Sequence, residues 1–442
     1  MFVRVASVVL LVIVGTNATA ALDLYGTPTF ELALLVILGG VIGRGGVRTL
    51  ASQLPPRAVG ATYLLLATYG LVRIVGGRLS RVDLPTAAFA DSWLKYMLVV
   101  AALILATTDR RQAHLLAGTV VASIAILAGP ALFQHLTGTY SFEWFGLAQV
   151  DRGFIERVER LQIAGPFGDP NPLVMWLITA LPIAASYTLR TQRALVRRSS
   201  FLLSALAVVT VIATQSRQGL IALVVVGLLI ARFIGRPSAR TALKLGAAMA
   251  VVVMVVFASN PTRWIRQVER IGEVTAVIGG DIDPNTSSAG YAGTFWAGLD
   301  MFADHPVIGV GHGNFAELYP EYVTRRAIDQ SGKSRAAHNM VVHLLAETGL
   351  VGFTVFSAAG IALVRALSGA RTTFRRLGLD AEADLATALL VAYSGWLVVG
   401  LFQGLYHSEQ FIALAGLGLG LAVLASREET QARERQEAST AP

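Results

Sequence analysis

Three short polar stretches break a chain that is otherwise strongly apolar: Gly165-Pro166-Phe167-Gly168-Asp169-Pro170-Asn171, Ser216-Arg217-Gln218-Gly219 and Ala337-His338-Asn339. Arg217 carries a planar fork of donors that matches phosphate oxygens two at a time. It sits between two apolar runs, 201–213 and 220–230, and so lies at a membrane–water boundary, where a lipid pyrophosphate carries its charge. The alternative is an arginine snorkelling to ordinary headgroups. His338 belongs to the side-chain type best suited to removing a proton from an attacking hydroxyl near neutral pH. Asn339 beside it could orient that hydroxyl or hydrogen-bond a sugar; for His338 itself, which with Asn339 opens an apolar window and shares a helical face with Val342 and Leu345, the alternative is a satisfied cap residue at a helix start. Pro170 and Pro172 suit the start of a helix, with Asn171 either as its cap or as part of a substrate-facing corner that Arg160 could reach.

Other polar residues carry weaker signals. His312 lies among Gly309, Gly311 and Gly313 and could touch substrate, whereas His305 before Pro306 reads as a turn residue. His343 and Glu347 stand four apart on one helix face and read as a structural pair rather than a support behind the site. Arg73 and Lys95, inside apolar windows, read as snorkelling side chains. No His-Glu-x-x-His spacing is present, and Asp281, Asp283, Asp300, Asp304, Glu317 and Glu321 are scattered, so metal-independent chemistry without a cofactor is expected.

The elements that must position these groups are membrane helices. The chain has 442 residues, 54% of them hydrophobic and 14% charged, against about 25% charged in a soluble protein. Cysteine is absent, which excludes disulfides and thiolate metal sites. Apolar windows of the length a span needs fall at 2–22, 28–43, 59–77, 92–108, 113–135, 171–189, 199–215, 217–234, 242–259, 338–364, 385–404 and 409–426. The expected fold is therefore all-α, a polytopic membrane protein of about 12 transmembrane helices. The first window is read as a span rather than a removed signal peptide. The net charge of +8 has a topological reading before a nucleic-acid one: Arg110, Arg111, Arg190, Arg193, Arg375 and Arg376 gather in alternate loops, as they do on the cytoplasmic side. That puts both termini inside and all three polar clusters outside. Residues 1–426 form one membrane domain, 260–337 a large outer loop too long to be a passive connection, and 427–442 a disordered cytoplasmic tail.

In their order along 155–360 these residues resemble the O-antigen ligase and polymerase superfamily of bacterial membrane glycosyltransferases. The resemblance rests on Arg160 with the Gly165 to Asn171 stretch, on Ser216-Arg217-Gln218-Gly219, and on Trp296 followed by Asp304-His305-Pro306-Val307-Ile308-Gly309-Val310-Gly311-His312-Gly313-Asn314-Phe315. It closes with Ala337-His338-Asn339 and Glu347-Thr348-Gly349-Leu350-Val351-Gly352. The combination is specific; no single piece is. It implies an enzyme of the bacterial inner membrane with a large periplasmic loop and a site facing the periplasm. Such an enzyme takes a glycan from undecaprenyl pyrophosphate and passes it to a hydroxyl of lipid A–core, another glycan or a protein. The resemblance makes His338 the base and Arg217 a pyrophosphate ligand; beside them Arg160, Arg263 and Arg266 are candidates for further pyrophosphate contacts, and Asn339, His312, Asn171 and Tyr291 for contacts to glycan and acceptor. One departure stands out. Members often carry an arginine shortly before the Trp, and here Ser288-Ala289-Gly290-Tyr291-Ala292-Gly293-Thr294-Phe295-Trp296 has none. A second phosphate ligand must come from elsewhere, with Arg263, Arg266, Arg270, Arg325 and Arg326 as the candidates. The alternative from another class is a transporter or flippase of an anionic solute or lipid, which the many spans suit but the lack of half-to-half symmetry does not.

Overall fold

A computed structural model describes residues 57–79, 86–107, 109–142, 144, 146–150, 162–235, 287–326, 328, 334–404 and 409–440. The helices are α1 (Arg57–Leu79), α2 (Thr86–Ala106), α3 (Arg110–Thr137), α4 (Pro170–Arg190), α5 (Ala194–Ala213), α6 (Arg217–Leu229, continued by a π turn at Ile230–Ile234), α7 (Ser287–Asp304), α8 (Asn314–Thr324), α9 (Met340–Arg376), α10 (Asp380–Gly400) and α11 (Glu409–Thr440). A short antiparallel pair, β1 (Gln149–Val150) and β2 (Ile163–Gly165), lies between α3 and α4.

Among the described residues eight helices are long and apolar enough to cross a membrane: α1, α3, α4, α5, α6, α9, α10 and α11. Each falls on an expected window. The window at 92–108 is α2, whose apolar part runs over Trp93–Ala106; the windows at 2–22, 28–43 and 242–259 lie outside the described residues. The protein is thus a multi-pass helical membrane protein. Part of the expected outer loop at 260–337 is folded, because α7 and α8 pack through Met301, Phe315, Tyr319 and Val323 into a small core of their own.

The helices pack as membrane helices do, with small residues letting neighbours approach. Gly219 brings α6 against Val174 of α4 and Val211 of α5, and Gly395 brings α10 against Val226 and Ile178. Trp396, Phe411 and Phe356 fill the centre as an aromatic cluster joining α10, α11 and α9.

Charge divides the two ends of the bundle. At one end Arg110 pairs with Glu428 at 3.4 Å, Arg190 with Asp384 at 3.5 Å and Arg376 with Glu429 at 3.0 Å. In place of the expected disordered tail, α11 runs on through Thr440, and at the start of that stretch Glu428 meets Arg110 of α3 and Glu429 meets Arg376 of α9. At the other end lie the start of α4, the turn from α5 to α6 and the start of α9.

α9 is not one continuous helix. Gly349 has φ 59° and ψ −163°, and the break is filled by the backbone of residues 306–311. Val310 N–H donates to Ala346 O at 2.8 Å and Gly311 N–H to Glu347 O at 3.1 Å, while Leu350 N–H donates to Pro306 O at 2.8 Å and Val351 N–H to Val307 O at 3.1 Å. Irregular backbone in a membrane helix is tolerated where protein satisfies it, and here the Pro306–Gly311 stretch does so. A Cβ on Gly349 would lie 2.6 Å from Gly309 N. Gly349→Ala is therefore expected to destabilise by more than the ~1–2 kcal/mol an L-residue gives up in the left-handed region. Gly118→Ala on α3, where a Cβ meets nothing within 4 Å, should leave the thermal unfolding of detergent-solubilised protein unchanged or slightly raised; equal behaviour of the two variants would contradict the interlock.

Candidate functional site

The site is assembled at the ends of four helices. Asp169, not Asn171, caps α4: its Oδ1 accepts from Asn171 N–H at 2.8 Å. Pro170 takes the first helical position, where no N–H is needed, so the acceptor one residue earlier does the capping. That leaves the Asn171 side chain for Ser216, whose hydroxyl donates to Asn171 Oδ1 at 3.1 Å. Ser216 in turn caps α6, accepting from Gly219 N–H at 3.4 Å. The first two polar stretches are thus joined directly, and Arg217 begins α6 beside that joint.

Arg217 is half-buried, and its guanidinium lies 5.8 Å from the centre of the Tyr291 ring. Tyr291 stands in the first turns of α7, 46% exposed. Its ring meets the His338 imidazole at 4.5 Å between centroids. The third stretch therefore reaches the first two through one aromatic ring. The helical spacing of His338 with Val342 and Leu345 would put it on the helix, but it precedes it: Asn339 is the cap of α9, accepting from Val342 N–H at 3.0 Å. Asn339 Nδ2 donates to Leu401 O at 2.9 Å, so the side chain expected to meet a glycan is engaged in structure at both ends.

Among the described residues, His338 and Arg217 keep polar atoms available: His338 has no hydrogen bond and Arg217 no carboxylate partner. Burial, then the positive charges of Arg335 and His343, hold the His338 imidazole below the ordinary histidine range. It is therefore neutral at physiological pH, the form that accepts a proton. The hold of Tyr291 on Arg217 is worth about 0.5–2 kcal/mol, less than a charge-assisted hydrogen bond to phosphate, so an anion can take it over.

Arg325 and Arg326 are spoken for. Arg325 bonds Asp304 at 2.7 Å and Glu321 at 3.0 Å, and Arg326 meets both oxygens of Asp300 at 2.7 Å. Arg325 holds the Asp304 carboxyl below the usual range. Arg160, Arg263, Arg266 and Arg270 lie outside the described residues. Arg335 is the basic residue the motifs did not single out. Its guanidinium packs over Gly290, where any side chain would displace it. Its place three residues before His338 was the available signal.

Both ring nitrogens of His312 face protein groups. Its Nε2 lies 3.0 Å from Arg73 Nη2 and its Nδ1 3.1 Å from Glu347 Oε2. Arg73 is 1% exposed and does not snorkel; α1 packs against α9, and the side chain ends 3.7 Å from Glu347 instead of at water. His343 pairs with Glu347 at 3.2 Å, as their spacing predicts.

Residues 202–357, which hold Arg217, Tyr291 and His338, match the family model described as O-antigen ligase. No curated protein matches the chain.

Proposed function

The match over residues 202–357 sets the chain with the O-antigen ligase and polymerase superfamily, and from that premise we propose that it is a membrane glycosyltransferase moving an undecaprenyl-pyrophosphate-linked glycan onto an acceptor hydroxyl. The observation that carries the reading is the Arg217–Tyr291–His338 convergence at one end of the bundle. Arginines gather at the opposite end, and the charge bias of membrane proteins supports a site on the outer side. Pyrophosphate is already a good leaving group. The protein has to hold it, stabilise the charge that develops as it departs, and take the proton of the acceptor hydroxyl. Arg217, with Arg335 from the loop before His338, supplies fixed positive charge for the first two tasks. Neutral His338 takes the proton as the acceptor oxygen attacks the anomeric carbon and the C–O bond to pyrophosphate breaks, inverting that centre. The acceptor is a glycan, a lipid A–core or a protein hydroxyl, and no nucleic acid is involved.

A strain lacking the gene should accumulate undecaprenyl-pyrophosphate-linked glycan, measured by mass spectrometry, and the wild-type chain should clear it. An unchanged lipid-linked pool would refute the proposal. Transfer in washed membranes is expected to persist in EDTA, and strict dependence on added Mg²⁺ would overturn the metal-free chemistry.

A transporter reading has one observation in its favour, the broken helix α9, since transporters place substrates at such breaks. Here the protein's own backbone from 306 to 311 fills the break, which leaves little there for a solute.

A further inference from the structure

Glu347 is buried at the break in α9, and the groups around its two oxygens are donors. Oε1 accepts from Gly313 N–H at 2.9 Å and Phe315 N–H at 3.4 Å, and lies 3.2 Å from His343 Nε2. Oε2 lies 3.1 Å from His312 Nδ1 and 3.7 Å from Arg73. The partners assign the ring protons. A guanidinium only donates, so His312 Nε2 accepts from Arg73 and the Nδ1–H of His312 donates to Glu347. A carbonyl only accepts, so His343 donates its Nδ1–H to Gly404 O at 2.9 Å, and to donate to Glu347 through Nε2 as well it carries a proton on both ring nitrogens. A carboxylate offers acceptors in every direction this ring of donors requires; glutamine would turn an N–H₂ toward one of the donors.

This ring reaches the proposed base through one helical turn. His343 N–H donates to Asn339 O at 2.9 Å. Asn339 and His343 both fasten to the segment that ends α10, at Leu401 O and Gly404 O. A Cβ on Gly404 would lie 2.6 Å from Ala337 O, so that segment also presses on the residue before His338.

We propose that Glu347 is a positioning residue for glycan transfer, acting through His343 to hold the first turn of α9, and with it His338, in register with Tyr291 and Arg217. This rests on the reading of His338 as the base. Glu347 itself touches no substrate, and its carboxylate also anchors the 312–315 loop, so one buried charge ties three segments to the site.

The test uses the full chain in nanodiscs with ring-¹⁵N histidine, comparing wild type with Glu347→Gln. The His343 signals are those lost in His343→Gln. In Glu347→Gln the His343 Nε2 resonance should move while Nδ1, bonded to Gly404, stays. Transfer in washed membranes should fall about 100-fold, the scale of a misplacement near 1 Å, while binding of undecaprenyl pyrophosphate stays within about twofold. Wild-type transfer despite a moved Nε2 signal would overturn the proposal. Loss of binding along with transfer would also overturn it, because that is general collapse rather than positioning. If Glu347→Gln does not insert, His343→Gln decides by the same split between transfer and binding. The ring-nitrogen signature does not depend on catalysis, so transfer by a His338→Ala variant would sink the base reading while leaving the Glu347–His343 bond to be judged separately.

Discussion

His338→Ala should lower glycan transfer by about a hundred- to ten-thousand-fold, the range a positioned general base supplies, with membrane insertion and undecaprenyl pyrophosphate binding retained. Insertion is retained because His338 lies in the extended segment before α9 and Asn339 does the capping. The pH dependence carries a sign. Because His338 is held below the ordinary histidine range, its base form persists at physiological pH and is lost only as the pH falls below that range. Transfer should therefore be flat near neutrality with an acid limb lying lower than an ordinary imidazole gives. Arg335→Gln removes one of the charges responsible, so the limb should move to higher pH. Near-normal transfer by His338→Ala in washed membranes, or an acid limb that ignores Arg335, would remove the base from the mechanism.

Arg217→Lys carries the second large effect. Lysine keeps the charge but loses the fork, and with it one of two hydrogen bonds to a phosphate. A charge-assisted hydrogen bond is worth about 1.5–3 kcal/mol, so undecaprenyl pyrophosphate binding should weaken by roughly ten- to a hundredfold, with transfer falling at least as far. Arg325→Lys is the control. Arg325 is exposed and already paired with Asp304 and Glu321, and exposed pairs are worth about 0–1 kcal/mol, so both readouts should stay close to wild type. If Arg325→Lys weakened binding as much as Arg217→Lys, the anion would sit over α7 and α8 rather than at the start of α6.

The roles of the site residues divide by what holds them. Arg217 and His338 have an aromatic ring between them and, among the described residues, open polar atoms. Arg73, His312, Glu347 and Asn339 are each bonded to other protein groups. Type and spacing mark all of them as unusual in a membrane chain, and only their partners separate the groups available for chemistry from those that build the platform. For His312 the glycine neighbours suggest an accessible loop, whereas its ring nitrogens face Arg73 and Glu347, and Gly309 and Gly311 let the loop dock into α9.

Hydropathy alone determined that this is a multi-pass helical protein and where eight of its spans run, because the length and apolarity of a span are dictated locally by bilayer thickness. The motifs likewise named Arg217 and His338, since a guanidinium fork and an imidazole among apolar residues carry their chemistry in their side chains. The break in α9, the burial of Arg73 and the placing of Arg335 over Gly290 were decided only by the tertiary structure. Each depends on a partner far away in the chain, and whether a charge is paired or available is a property of the pair rather than of either residue.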